Sequence, residues 1–159
     1  GLDEALIVTC SALELLVMAG CNLLLGWLGD RYGHRLGVMI GIISQVLTLV
    51  AMLTLPGLAG CLLVFALAGV QMGAAGVSNW NFMVESCPHS NRSAHFTVGN
   101  VVLSPICVVA PLAAGALVEM RGLPTVVWGS FGVSVVAALW LLLKVREPRT
   151  LKVFDAGGK

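Results

Sequence analysis

Residues 26–35 read Gly26-Trp27-Leu28-Gly29-Asp30-Arg31-Tyr32-Gly33-His34-Arg35, a polar stretch between two long apolar ones. Each position has a physical reading. Gly26 has no side chain, so another helix can approach closely there. Gly33 permits a tight turn with positive φ. Asp30 ends an apolar run, where its carboxylate can face a helix N-terminus or an arginine. Arg31 and Arg35 suit the membrane face on which basic residues collect.

Working outward, the flanking sequence is apolar on both sides. A helix needs about 20 apolar residues to cross the hydrocarbon core. Five stretches meet that length: 6–28, 37–55, 59–81, 95–118 and 124–143. Of the 159 residues 58% are hydrophobic and 11% charged, with a mean hydropathy of +0.95. An ordinary soluble domain carries roughly 25% charged residues. So much apolar surface excludes a soluble globule, and the low charge excludes disorder. A net charge of +1 gives no basic surface for nucleic acid. The fold class is therefore all-α integral membrane, with five transmembrane helices. Barrel strands are excluded because they need only about ten residues and alternate in polarity.

The connections, 29–36, 56–58, 82–94 and 119–123, are short, so consecutive spans are antiparallel neighbours. Pro105 and Pro111 fall inside the fourth span and predict a kinked helix there. Gly37 and Gly41 predict a packing seam in the second span. If 29–36 is cytoplasmic, that side also holds 82–94 and the C-terminal tail. It then carries Arg31, Arg35, Arg92, Lys144, Arg146, Arg149, Lys152 and Lys159, against Arg121 alone outside. Asp3 and Glu4 lie outside in that orientation, and the sequon Asn91-Arg92-Ser93 falls on the cytoplasmic side, where it is chance.

The turn has the form G-x-L-x-D-R-x-G-x-R, bounded by two spans. It resembles the signature of the major facilitator superfamily of secondary transporters. His34 departs from the usual second basic residue, a small reduction in charge. A second region agrees: Asn81-Phe82-Met83-Val84-Glu85-Ser86-Cys87-Pro88, then Asn91-Arg92-Ser93, Gly99-Asn100, Pro105, and Pro111 through Gly115. It is similar to the passage from the tenth into the eleventh helix of bacterial-type members. Lys144-Val145-Arg146-Glu147-Pro148-Arg149 is similar to the exit from a last helix. The resemblance covers nearly the whole chain. It implies helices eight to twelve of a twelve-helix fold made of two pseudo-repeated six-helix bundles. The pseudo-repeat leaves helices two to six as the alternative. The domain reading is a partial bundle over 1–149 and a cytoplasmic tail over 150–159. The chain starts at Gly1 in loop-like sequence and reads as part of a longer protein, so a partner is the missing N-terminal half.

The resemblance implies movement of a small solute by alternating access, with a proton as the candidate coupling ion, in the plasma (bacterial inner) membrane. The signature positions Gly26, Leu28, Asp30, Arg31, Gly33 and Arg35 would form a conformational latch, with Asp30 facing a helix N-terminus in the missing half. On that numbering the third span lines the cavity. Gln71, nearest the midplane, is the best cavity candidate, and Ser78 and Asn81 share roughly its face. The plainer reading is an interhelical hydrogen bond. Glu14 sits about eight residues into the first span, roughly 12 Å deep. A carboxylate there must be protonated, paired or facing a wet cavity. It is a candidate for proton coupling or for a cationic solute, weighed evenly against a hydrogen-bonded residue with a distant partner. Asn100, a fourth candidate coupling or substrate residue beside Glu14, Gln71 and Ser78, shares a face with Ser104, and the two predict bonds to a neighbouring helix. Glu85 predicts a pair with a basic loop residue. Trp27, Trp80, Trp128 and Tyr32 read as interfacial aromatics.

No Ser/His/Asp set, metal-ligand spacing or phosphate loop is present, so no catalytic, metal or cofactor residue is assigned. The five cysteines, Cys10, Cys21, Cys61, Cys87 and Cys107, read as small packing residues. The alternative function is a non-transporting multi-pass protein, a sensor or assembly partner, on a transporter scaffold.

Overall fold

The computed structural model describes residues 4–87 and 91–145. The tail 150–159 and the charges Asp3, Arg146 and Arg149 lie outside the described residues, as does His89. Five helices follow one another: α1 (Glu4–Tyr32), α2 (His34–Thr54), α3 (Gly57–Glu85), α4 (Arg92–Arg121) and α5 (Leu123–Lys144). All five are long and apolar enough to cross a membrane, and no strand occurs among the described residues.

The helices outrun the apolar stretches that foretell them. The α1 helix continues past residue 28 to Tyr32, and α3 past 81 to Glu85. The supposed loop at 29–36 thus shrinks to a single non-helical residue. Hydropathy marks where the hydrocarbon ends, whereas a helix ends where its backbone bonding ends. Gly33 turns the chain at φ 92°, and its N–H donates to the Gly29 carbonyl at 2.9 Å. Gly122 does the same between α4 and α5, at φ 82° with a 2.8 Å bond to Val118. Leu55 and Pro56 join α2 to α3, and the Leu55 N–H closes α2 on the Ala51 carbonyl.

In the packing, α3 lies against both α1 and α2, α5 against α2, and α4 against α5. Small residues rather than bulky ones set these contacts. The largest fully buried side chains are Cys10 and Ser78. A Cβ added at Gly69 would stand 2.5 Å from the Glu14 carbonyl oxygen, and one at Gly73 2.8 Å from Cys21 Cβ. Gly37 meets Ser78, and a Cβ at Gly41 would stand 2.8 Å from that of Ala74, so the expected α2 seam exists and seats α3. Between apolar helices in lipid, such close backbone approach supplies the attraction that water supplies elsewhere.

The α4 helix is continuous through Pro105 and Pro111. The carbonyls of Val101 and Cys107 each lose their helical donor to a proline ring. No α4 residue is buried. Leu16, Leu23, Met120 and Leu143 are each more than 70% exposed, which suits a bilayer and no aqueous surface.

Candidate functional site

The signature turn holds three helix ends together. Arg35 donates from one Nη to the carbonyls of Leu141 and Leu142, at 3.2 and 3.3 Å, on the last turn of α5. A cation at a helix C-terminus satisfies orphan carbonyls and complements the dipole. His34 is buried with its ring against Gly29, and its Nε2 lies 3.9 Å from Glu85 Oε1 at the end of α3. The pair expected of Glu85 therefore includes the histidine that replaces the usual base. Arg31 sits 5.7 Å from the ring centroids of both Trp27 and Tyr32. Asp30 is exposed, and open space surrounds the missing side chain of Gly26. Leu28 lies half-buried on α1, one position before the glycine that receives the His34 ring.

Deeper in the bundle, α3 carries a π-helical segment over Ala75–Asn79. Wide turns of this kind are frequent at functional sites because they re-aim side chains in mid-helix. Two cavities flank the segment, and Asn79 lines both. On the α4 side is a cavity of about 650 Å³ bounded by Trp80, Met83, Asn100, Leu103, Ser104 and Cys107. Trp80 meets Phe96 with ring centroids 5.6 Å apart. On the other side a pocket of about 180 Å³ lies between α2, α3 and α5, where Gln45, Gln71 and Ser134 converge.

The four cavity candidates are thus dispersed. Asn100 lies in the larger cavity and Gln71 in the smaller. Ser78 is fully buried against Gly37, and its hydroxyl has no hydrogen-bond partner among the described residues. Glu14 is half-buried on α1, its carbonyl at the Gly69 contact, and its carboxylate makes no hydrogen bond or ion pair among the described residues.

Asn100 and Ser104 do not bond to a neighbouring helix, which corrects the expectation. Asn100 Nδ2 donates to the Phe96 carbonyl at 3.1 Å, and the Ser104 hydroxyl to the Asn100 carbonyl at 2.8 Å. Short polar side chains reach back one turn before they reach another helix. Asn100 lines the larger cavity with this bond in place.

Gln45, Ser134 and Trp80 were missed as lining residues. The first two are polar residues in mid-span, which is a readable signal. Trp80 looks like any interfacial aromatic until Phe96 is placed against it.

The sequence model described as Major Facilitator Superfamily matches residues 1–159. The chain belongs to the major facilitator superfamily. It is accordingly a multi-pass membrane protein of transporter type. No curated protein and no solved structure matches it. Within this member of the superfamily, the larger cavity is lined by apolar side chains and by the uncharged polar groups of Asn79, Asn100 and Ser104.

Proposed function

We propose that this chain is part of a secondary transporter that moves a small amphipathic solute by alternating access. The observation that carries the reading is the cavity between α3 and α4, joined to a family match over the whole chain. Asn79, Asn100 and Ser104 offer neutral polar groups, and Trp80, Met83 and Leu103 offer apolar surface. A site with few placed polar groups on an apolar lining fits such ligands. The missing half of the fold supplies the facing wall, and Gly26 and Asp30, open and exposed at the end of α1, form the surface it docks against. The signature turn lies on the cytoplasmic side, with the C-terminus, by the excess of Lys and Arg there. Glu14 is the proposed proton-coupling carboxylate. Gln71 and Ser78 serve the α2–α3 packing and the smaller pocket beside it.

The test is solute-driven flux in proteoliposomes holding the full-length parent. A panel of uncharged amphipathic solutes is applied with a luminal pH probe. Solute-dependent proton movement, weakened by Asn100→Leu and uncoupled by Glu14→Gln, is expected. No solute-dependent flux from folded protein, with or without a pH gradient, favours the non-transporting alternative.

A further inference from the structure

The five cysteines are alike in sequence, but the structure separates two of them. Cys10 on α1 is fully buried and Cys61 on α3 is half-buried, and their Sγ atoms stand 3.5 Å apart. A disulfide bond is about 2.05 Å long, so closure needs the sulfurs to approach by about 1.5 Å. The pair lies on the seam that continues inward through Glu14 and Val17 against Gly69, then Met18 and Cys21 against Gly73. That seam holds the two helices together over several turns. Cys21, Cys87 and Cys107 have no such sulfur neighbour among the described residues.

Both thiols are near the same end of the bundle. Cys10 lies six positions into α1 and Cys61 four positions into α3, so each is within about 10 Å of its helix start at 1.5 Å per residue. This end is opposite the signature turn. In the proposed orientation it is the non-cytoplasmic end, where disulfides persist.

We infer that Cys10 and Cys61 form an oxidisable pair, a reversible staple between the outer ends of α1 and α3. The oxidant class is a small disulfide. The more exposed Cys61 loses its proton and attacks, forming a mixed disulfide and releasing one small thiolate. Cys10 then loses its proton and attacks the Cys61 sulfur, forming the internal bond and releasing the second thiolate. Two protein thiols are oxidised by two electrons in all, and one small disulfide becomes two small thiols. The staple fixes the outer end of the helix whose π segment borders both cavities.

The test uses the full-length protein in lipid nanodiscs with oxidised glutathione, followed by alkylation, digestion and mass spectrometry. Nanodiscs expose both faces, so the result depends on neither the proposed orientation nor a solute. The expected result is a Cys10–Cys61 linked peptide, lost on treatment with dithiothreitol, with two fewer alkylatable thiols. In Cys10→Ser the reaction should stop at the glutathione adduct of Cys61. Full alkylation of both thiols after oxidation overturns the proposal. So does a glutathione adduct that persists on Cys61 in the unmodified protein, or linkage of Cys10 to a different cysteine. The unmodified protein alone decides these outcomes, so a poorly folding variant does not blunt the test.

Discussion

Gly69→Ala is the sharpest test of the α1–α3 seam. The added Cβ would stand 2.5 Å from the Glu14 carbonyl oxygen and 3.0 Å from Val17 Cβ, where ordinary contact begins at 3.4 Å. The deficit is 3.4 − 2.5 = 0.9 Å, and the obstacle is backbone on another helix, which cannot swing aside. The helices must part by that distance, and overpacking of this kind costs about 1–3 kcal/mol. This is about a 5- to 140-fold fall in the folded-to-unfolded ratio. Gly20→Ala is the control, because nothing lies within 4 Å of its added Cβ. It should leave stability unchanged or raise it by up to about 1 kcal/mol through helix propensity. The assay is thermal unfolding in nanodiscs followed with a thiol-reactive fluorophore, since Cys10 and Cys21 lie along this seam and react as it opens. A Gly69→Ala protein as stable as Gly20→Ala would refute the reasoning.

Three further substitutions probe other contacts. Ser78→Ala removes a fully buried hydroxyl that has no hydrogen bond among the described residues, so stability should hold or rise by about 1 kcal/mol in the same assay; a clear loss would reveal a hydrogen bond made there. Arg35→Gln removes two partly exposed bonds to α5 carbonyls and should cost about 1 kcal/mol, read as faster hydrogen exchange in the last turn of α5 but not in α1. Asp30→Asn should change the rate of solute exchange in proteoliposomes while leaving solute affinity intact; unchanged rates would retire the latch.

The spans were legible because lipid demands long apolar runs, and such runs leave little ambiguity about helix. The turn at Gly33 was legible because its conformation excludes most other residues. The Gly37–Gly41 seam followed from spacing alone. What stayed hidden depends on pairing between helices that are not consecutive. Gln45 and Ser134 meet Gln71 only because α5 folds back on α2. The π segment at Ala75–Asn79 contains no proline, and its single glycine, Gly76, allows a bend without announcing a widened turn. The partner of Arg35 lies 106 residues away. The cysteine pair was read as packing because 51 residues of sequence separate sulfurs that the fold places in contact.

The α1 and α3 helices run parallel, with the antiparallel α2 between them in sequence, and this orders events during synthesis. Each contact on their seam joins residues about fifty apart, as Cys10 and Cys61 are at 51. At roughly 5–20 residues per second, the ribosome takes about 3–10 seconds to make that interval. Through that time each seam position of α1 waits without its partner. Asn22, whose buried Oδ1 finally lies near Gly76, and Glu14 then face whatever the insertion machinery provides. The machinery must shelter a carboxylate and an amide until α3 arrives, and a pause in translation within α3 lengthens that exposure.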